Sequence, residues 1–535
     1  MGELIPNLNN RYLQRGRARA PTINDDSTKG YAVGDHWQAG GTVWEAQSVA
    51  SGGAIWKQVI GAGARPYEIL GASVVAGIGG LAQMRRGYTG AACDISATIG
   101  GSTVTATINI LSNGQFDEAT LGTYYNMRDA GTHIVCTKLY NQDASGNDFV
   151  QSGSLGMAKI CWDEVLRRFV LTRTFGLSNT IETLVLSGGA SFTSSDCAAV
   201  VFGRCAGSSM DAGTGVPFAF GSWGTAYYAV GTRPLQTGTL YGGLQTTGST
   251  GSQKPFSPRI AFDAAPMVMA FRSYGTTETL HVNNEISTTT GYRPLYTLTG
   301  AYINGPDNAT FGNPLHAVGY ILCKAAPTVA QISLVKAALY AMIDARPQSR
   351  DLVMMIADSR GAGSGGTYHS LPAWLTKHMA NPARVISMTQ GGSTSTQHLA
   401  AAPTLSVDMY SATRQNVVVI GPLGTNDYAT LTPAQTYANL QAIAAIYRAA
   451  GWKVVALAEM SSTNANHNTH QAAVRDLILG GDQTWFDRLV NVATIPAVML
   501  PGNTSYYADG LHETDLLQDA MASMIAAAAD ELLAA

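Results

Sequence analysis

Apolar and polar positions follow two different periods along this chain, and the switch falls near Asp351. After it, short apolar runs alternate with amphipathic stretches. Leu352–Ala357 is an unbroken apolar run that stops at Asp358-Ser359 and enters the small-residue turn Arg360-Gly361-Ala362-Gly363. Strands are predicted there and at Arg384–Met388, Asn416–Ile420 and Lys453–Ala458. Helices are predicted near Leu371–Met379, over Pro433–Ala450 and from about Asp515 to Leu533. Thr432-Pro433 supplies a helix start and Gly451 a stop. Alternating strands and helices make a mainly parallel sheet covered on both faces. The ligand crevice of such a sheet lies at the carboxyl ends of its strands, where Ser359 and Asn426 fall.

Before Asp351 the period is two. Ser102–Ile110 alternates strictly, as a half-buried strand does. Arg168–Arg173, Ala199–Phe202, Pro266–Phe271 and Thr279–Val282 are further predicted strands, separated by Gly, Ser, Thr and Asn clusters. Many short strands without intervening amphipathic helices predict a β-sandwich or jelly roll. A helix over Pro327–Arg346, with Ile332, Val335, Leu339, Met342 and Ile343 on one stripe, closes this unit. Upstream, Gly30–Val59 carries Trp37, Trp44 and Trp56 between Gly-rich turns. That predicts a very small β module, in which the aromatics serve equally well as core or as exposed platforms. Residues 1–26 read as a polar tail or an anchoring peptide that orders on a partner. The expected boundaries are 1–26, 27–62, 63–346 and 347–535.

Composition changes this picture little. A chain of 535 residues needs more than one core. Charged residues are only 13% and glycines number 58, which suits tight turns. A net charge of -3 recruits neither nucleic acid nor an anionic membrane. Met1–Ala20 lacks the apolar segment of a signal peptide, and no apolar run is long enough to cross a bilayer. Cys93, Cys136, Cys161, Cys197, Cys205 and Cys323 form no CxxC pair, so neither a metal site nor a cofactor is expected. Buried free thiols are the expectation, with a Cys197–Cys205 bridge left open.

Four pieces in the last third carry candidate chemistry. Asp358-Ser359 ends one predicted strand, Gln390-Gly391-Gly392-Ser393-Thr394 follows the next, Gly424-Thr425-Asn426-Asp427 the third, and Asp509-Gly510-Leu511-His512 precedes the last helix. Each alone is an ordinary turn. Together they supply a hydroxyl, a base to take its proton, an acid to orient that base, and donors for an oxyanion. Ser359 is the expected nucleophile, His512 the base and Asp509 the acid. The oxyanion donors are expected to be the Ser359 N–H, the Gly392 N–H and the Asn426 amide, with Gly391 the adjacent alternative to Gly392. His369, His378, His398, His467 and His470 compete for the role of base; His467 and His470 are expected in an exposed loop.

This set resembles the SGNH (GDSL-type) hydrolases, whose namesake residues match Ser359, Gly392, Asn426 and His512 and whose triad acid matches Asp509. The resemblance implies a three-layer, flavodoxin-like α/β domain and a serine esterase. Two positions depart from the family: Ala357 where Gly usually precedes Asp-Ser, and Glu513 where Pro often follows His. Met84–Ala92, Gly114–Asp117 and Lys138–Gln151 resemble landmarks of the concanavalin-like jelly roll of fungal arabinofuranosidases and many phage tail proteins. The tryptophan-rich stretch is similar to small modules, akin to chitin-binding ones, near the start of phage tail fibres, which implies sugar stacking by Trp37, Trp44 and Trp56. The combination looks like a bacteriophage tail fibre or tail spike. It implies a virion protein made in the host cytoplasm, a homotrimer joined to tail or baseplate proteins through its N-terminus. The implied activity removes O-acetyl groups from a bacterial O-antigen, capsule or exopolysaccharide. The rival readings are a non-catalytic receptor-binding protein and a lipase or thioesterase.

Overall fold

The computed structural model describes residues 51, 65–143, 145–151, 158–172, 184–188, 190–207, 218–220, 263–283, 285–289, 297–298, 300–303, 315–342, 351–381 and 383–535. Elsewhere it describes backbone strands only, the N-terminal ones and those between 221 and 255 among them.

At the N-terminus, five strands form one sheet. His36–Ala39, Thr42–Ser48 and Ile55–Ile60 pair antiparallel, with Trp37 opposite Trp44 in register. The segment expected as a tail contributes two of the five: Pro6–Asn7 pairs with Arg11–Arg17, which runs parallel to His36–Ala39. The sugar-stacking expectation for Trp37, Trp44 and Trp56 concerns side chains outside the described residues.

The middle of the chain is a large antiparallel β structure. Its strands form one continuous hydrogen-bonded network. Ser102–Ile110 shows the predicted alternation, burying Ile108 and Ile110 between exposed neighbours. Asp196–Cys205 does not alternate, because both of its faces are covered. Cys197, Ala199 and Val201 point into one core, and Ala198, Val200 and Phe202 into a second. Helix Val329–Met342 roofs that second core with Ile332, Val335 and Leu339. Two helices inside this region were not expected, Pro66–Leu70 and Glu118–Met127. Asp117 caps the latter through the Thr120 N–H. Leu121 is its one buried residue, so its sequence carries almost no apolar stripe. All six cysteines are buried and free, so Cys197 and Cys205 are not bridged.

The C-terminal unit is the predicted parallel sheet. Five strands stand in the order Arg384–Thr389, Leu352–Ala357, Asn416–Ile420, Lys453–Leu457, Arg488–Val490, which is 2-1-3-4-5 in chain order. Every neighbouring pair is parallel. Helices Leu371–His378 and Asp515–Ala534 cover one face. Ser395–Asp408, Pro433–Ala449 and Ala465–Gly480 cover the other. The first strand is therefore buried on both sides and both edges, which explains its unbroken apolar run.

Polar contacts lock this unit to the β structure. The Asp263 carboxylate accepts from the Arg384 guanidinium at 3.2 Å and from the Val385 N–H at 3.0 Å, and the Ala264 N–H donates to the Val385 carbonyl. These contacts occupy the exposed edge of the parallel sheet. Nearby, Arg204 donates to the Ala373 carbonyl at 2.9 Å while holding Asp163 at 2.6 Å, all in the interior.

Candidate active site

The strand order reverses at Leu352–Ala357: strand two lies on one side of it, strands three to five on the other. A crevice opens at the carboxyl end of such a switch point. Three backbone bonds splay the loops there. Gln390 N–H donates to the Ala357 carbonyl, Asp358 N–H to Pro422 and Gly421 N–H to Ile356. Ser359 opens a four-residue helix, Ser359–Ala362, capped by the Asp358 carboxylate through the Arg360 N–H. The turn is tight enough that Gly361 has no room for a side chain. A Cβ there would lie 2.4 Å from that of Ala357. The methyl at position 357 is thus accommodated by the glycine four residues on.

His512 arrives on the loop before the last helix. Its Nε2 is 3.0 Å from Ser359 Oγ, and its Nδ1 is 2.7 Å from Asp509 Oδ2. Asp509 also accepts the backbone N–H groups of Leu511 and His512 on Oδ1. Partial burial pushes the Asp509 pKa up, but donors from the backbone and ring of His512 and from Leu511 outweigh it and hold it low. Gly510, at φ +79°, makes the turn between acid and base. A Cβ there would meet Thr463 Oγ1 at 2.3 Å.

Two further expected residues lie on the neighbouring loops. Gly392 has φ +73° and open space around a would-be Cβ; Gly391 is not among the positive-φ glycines. Asn426 follows strand three and donates one amide N–H to the Ser393 carbonyl at 2.8 Å, which orients the amide and leaves its second donor free to point elsewhere. A chain of this kind can deprotonate a hydroxyl, and donors on three adjacent loops can receive negative charge on a carbonyl oxygen.

The competing histidines stand elsewhere. His398 is buried behind the Gly392 loop and bonds Ser393 Oγ at 2.9 Å, and burial pushes its pKa down to about 3. His378 pairs with Asp519. His467 packs against the ring of Tyr428 with centroids 4.0 Å apart, and His470 reaches Thr436 Oγ1 at 3.1 Å. Both lie on helix Ala465–Gly480, not in the loop expected. Asn464 caps that helix, and the polar composition of its first turn hid it.

Several functional neighbours were not anticipated. Arg360 is fully buried and donates to Glu513 Oε1 from Nε at 2.8 Å and again from Nη2, and to the Ser461 carbonyl. Glu513, which departs from the family pattern, thereby ties the His512 loop to the residue beside Ser359. Burial opposes the Arg360 charge, and the Glu513 carboxylate more than restores it, raising its pKa. Glu459 lies buried beneath strand four and accepts the Leu423 and Gly424 N–H groups, setting the path of the loop to Asn426. Asp358 is pushed up to about 7, first by burial and then by the nearby Glu459 charge.

Gly365 is a close approach of a different kind. A Cβ there would lie 2.6 Å from the His512 and Glu513 carbonyl oxygens. Gly365→Ala is expected to displace the His512 loop and lower kcat about 100-fold, with KM little changed. Hydrolysis of p-nitrophenyl acetate measures this.

Among the described residues, one cluster of possible metal-binding groups occurs: Asp163, His316 and His369, with ligand atoms within 4.8 Å of one another. Its carboxylate already accepts from Arg204, His316, Val165 and Leu166. A cation would have to displace a guanidinium, so the donor set does not suit a metal.

No protein-family model and no curated protein sequence matches the chain. Solved structures do. Over 34% of this chain and 99% of its own, TesA is similar at 25% identity and TM-score 0.28. The lipase/acylhydrolase from Enterococcus faecalis is similar over 34% and 97%, at 18% identity and TM-score 0.29. An arabinofuranosidase, solved with arabinofuranosyl-alpha-1,2-xylobiose, is similar over 52% of this chain at 11% identity and TM-score 0.37. The chain spans 65% of that enzyme's length. What the chain's own geometry establishes is a doubly wound α/β unit with a hydrogen-bonded serine, histidine and aspartate at its switch point, attached to a large antiparallel β structure.

Proposed function

We propose that this protein is a serine esterase of the SGNH type that removes O-acetyl groups from a bacterial surface polysaccharide. The observation that carries the reading is the Ser359–His512–Asp509 chain at 3.0 and 2.7 Å, standing at the carboxyl ends of a parallel sheet. Ser359 Oγ attacks the acyl carbonyl as His512 Nε2 takes its proton. Asp509 fixes the tautomer and stabilises the imidazolium. The tetrahedral oxyanion is received by the N–H groups of Ser359 and Gly392 and the amide of Asn426. His512 then protonates the departing sugar hydroxyl, and water attacks the acyl-enzyme by the same route in reverse.

A small acyl group is favoured by the turn after the nucleophile. Gly361, Gly363 and Gly366 all have close neighbours, the last two against the His369 carbonyl, so this loop is packed rather than open to a long chain. The setting we propose is a phage tail fibre or tail spike. In it the N-terminal strands join the tail, a concanavalin-like jelly roll stands between, and three copies assemble. The test is acetate release from a panel of O-acetylated bacterial polysaccharides, run beside synthetic esters from acetate to laurate. Release of acetate, with short esters preferred, is expected. Turnover of long esters alone indicates a lipase or thioesterase, and glycan binding without any turnover indicates a receptor-binding protein.

A further inference from the structure

A second concavity lies away from the Ser359 crevice, on the seam between the β structure and the α/β unit. It is an open cleft of about 680 Å³. One wall is built by the β structure and its inserted helix, with Trp162 and Glu118. The other is built by the α/β unit, with Tyr368, Trp374 and Asp515. Neither part of the chain makes this cleft alone.

Its chemistry is of one kind. Rings stand on both walls at fixed angles. Trp162 packs edge-on against Phe169 with centroids 5.3 Å apart, and Trp374 lies 4.4 Å from the ring of His369. Trp162 is only partly buried, so some apolar ring surface is left for a ligand. Between the rings stand carboxylates. Asp515 is anchored by the Thr367 N–H at 2.9 Å and by the Trp374 indole N–H at 3.4 Å. Glu118 sits half buried in the first turn of its helix, and burial pushes its pKa up, with Arg168 opposing. No lysine or arginine is among the lining residues, and the two that stand over lining rings are committed: Lys377, 4.8 Å from the Trp374 ring, pairs with Asp519, and Arg128, 3.7 Å from the Tyr125 ring, donates to the Thr132 and Tyr125 carbonyls. His369 also lines the cleft, and its Nε2 is buried without a hydrogen-bond partner. Burial, then the charges of His316 and Arg204, push the His369 pKa well below the ordinary imidazole value. The ring is thus held neutral, with that nitrogen closed off from solvent.

We infer that this cleft is a glycan-binding site, distinct from the catalytic crevice, that takes an uncharged or amino-bearing sugar chain and rejects a uronate one. The partly buried ring of Trp162 offers a flat face on which the apolar side of a pyranose rests. Carboxylates accept from its hydroxyls. With Lys377 held by Asp519 and Arg128 by backbone carbonyls, no cation is spare to pair with a sugar carboxylate, and the acidic side chains Glu118 and Glu164 disfavour one. One loop joins the two places: it leaves Ser359, passes Gly365 against the His512 carbonyl, and reaches the cleft at Tyr368 and His369.

The site stands on binding alone and does not depend on the esterase reading. The test is calorimetric titration of the full chain with cellohexaose, a fully deacetylated chitosan hexamer and a galacturonate hexamer. The first two are expected to bind and the third not. Trp162→Ala is expected to weaken binding at least about ten-fold, as truncation of a central aromatic anchor does. Glu118→Gln, on a half-exposed helix position that disturbs no core, is expected to weaken the chitosan hexamer more than cellohexaose. Ser359→Ala is expected to bind as the parent does. Failure of both cellohexaose and chitosan to bind, equal binding of the galacturonate hexamer, or unchanged binding in both cleft variants overturns the inference. Loss of binding in Ser359→Ala does so too, since it would place the sugar in the catalytic crevice. Retained binding in a protein that releases no acetate leaves this site standing and removes the esterase.

Discussion

Ser359→Ala is expected to lower kcat for ester hydrolysis by on the order of a million-fold while leaving the fold intact. Only the hydroxyl is lost, and it bonds His512 Nε2. Removing it leaves the His512 ring beside a methyl group, at a position 8% exposed, so little stability is at stake. The effect falls on the chemical step because the bond to the acyl carbon can no longer form. Substrate affinity, set by the surrounding loops, should hold. Residual turnover well above the uncatalysed rate is expected to persist, since the oxyanion donors remain. Single-turnover release of p-nitrophenol, with circular dichroism as the folding control, measures both parts. An unchanged rate would mean that some other group attacks the ester.

Glu513→Leu is expected to destabilise the α/β unit by about 3–5 kcal/mol, and more than Arg360→Met paired with it. The single change strands the Arg360 guanidinium, which is 0% exposed, without its carboxylate. Taking both charges away together removes the stranded ion, and an apolar pair of similar volume is expected to recover most of the loss. The double variant separates two roles of this pair. If the ion pair only stabilises, esterase activity returns with folding. If it also holds the His512 loop against the Ser359 turn, activity stays low in a well-folded protein. Urea midpoints, followed by both activity and far-ultraviolet signal, distinguish these outcomes.

The parallel sheet was legible because its strands are buried on both faces and its helices on one. Leu352–Ala357 and Val417–Ile420 read as unbroken apolar runs, and Pro433–Ala449 carried both a start signal and a stop. Helix Ser395–Asp408 was hidden by Pro403 and a Ser- and Ala-rich face, and Arg488–Val490 by its three-residue length. In the β structure, the alternation of Ser102–Ile110 could be read, whereas Asp196–Cys205 shows no period because it divides its side chains between two cores. Helix Glu118–Met127 buries only Leu121, and a pattern of one residue has no period.

From residue types and order alone came the reacting groups: a serine, a histidine and an aspartate, each next to a turn, and an alternation that puts turns at the carboxyl ends of strands. The chain could not say that Arg360 and Glu513, which lie 153 positions apart, form one buried ion pair, because no local rule relates them. Nor could it say that Ala357 is matched by Gly361, since that depends on the pitch of a four-residue helix. The cleft between Trp162 and Trp374 is further still from the sequence, because each wall comes from a separately folding pattern. Local chemistry is written in composition and spacing. Which distant groups meet is decided by how the sheet twists, how the helices pack on it, and how the two units close on each other.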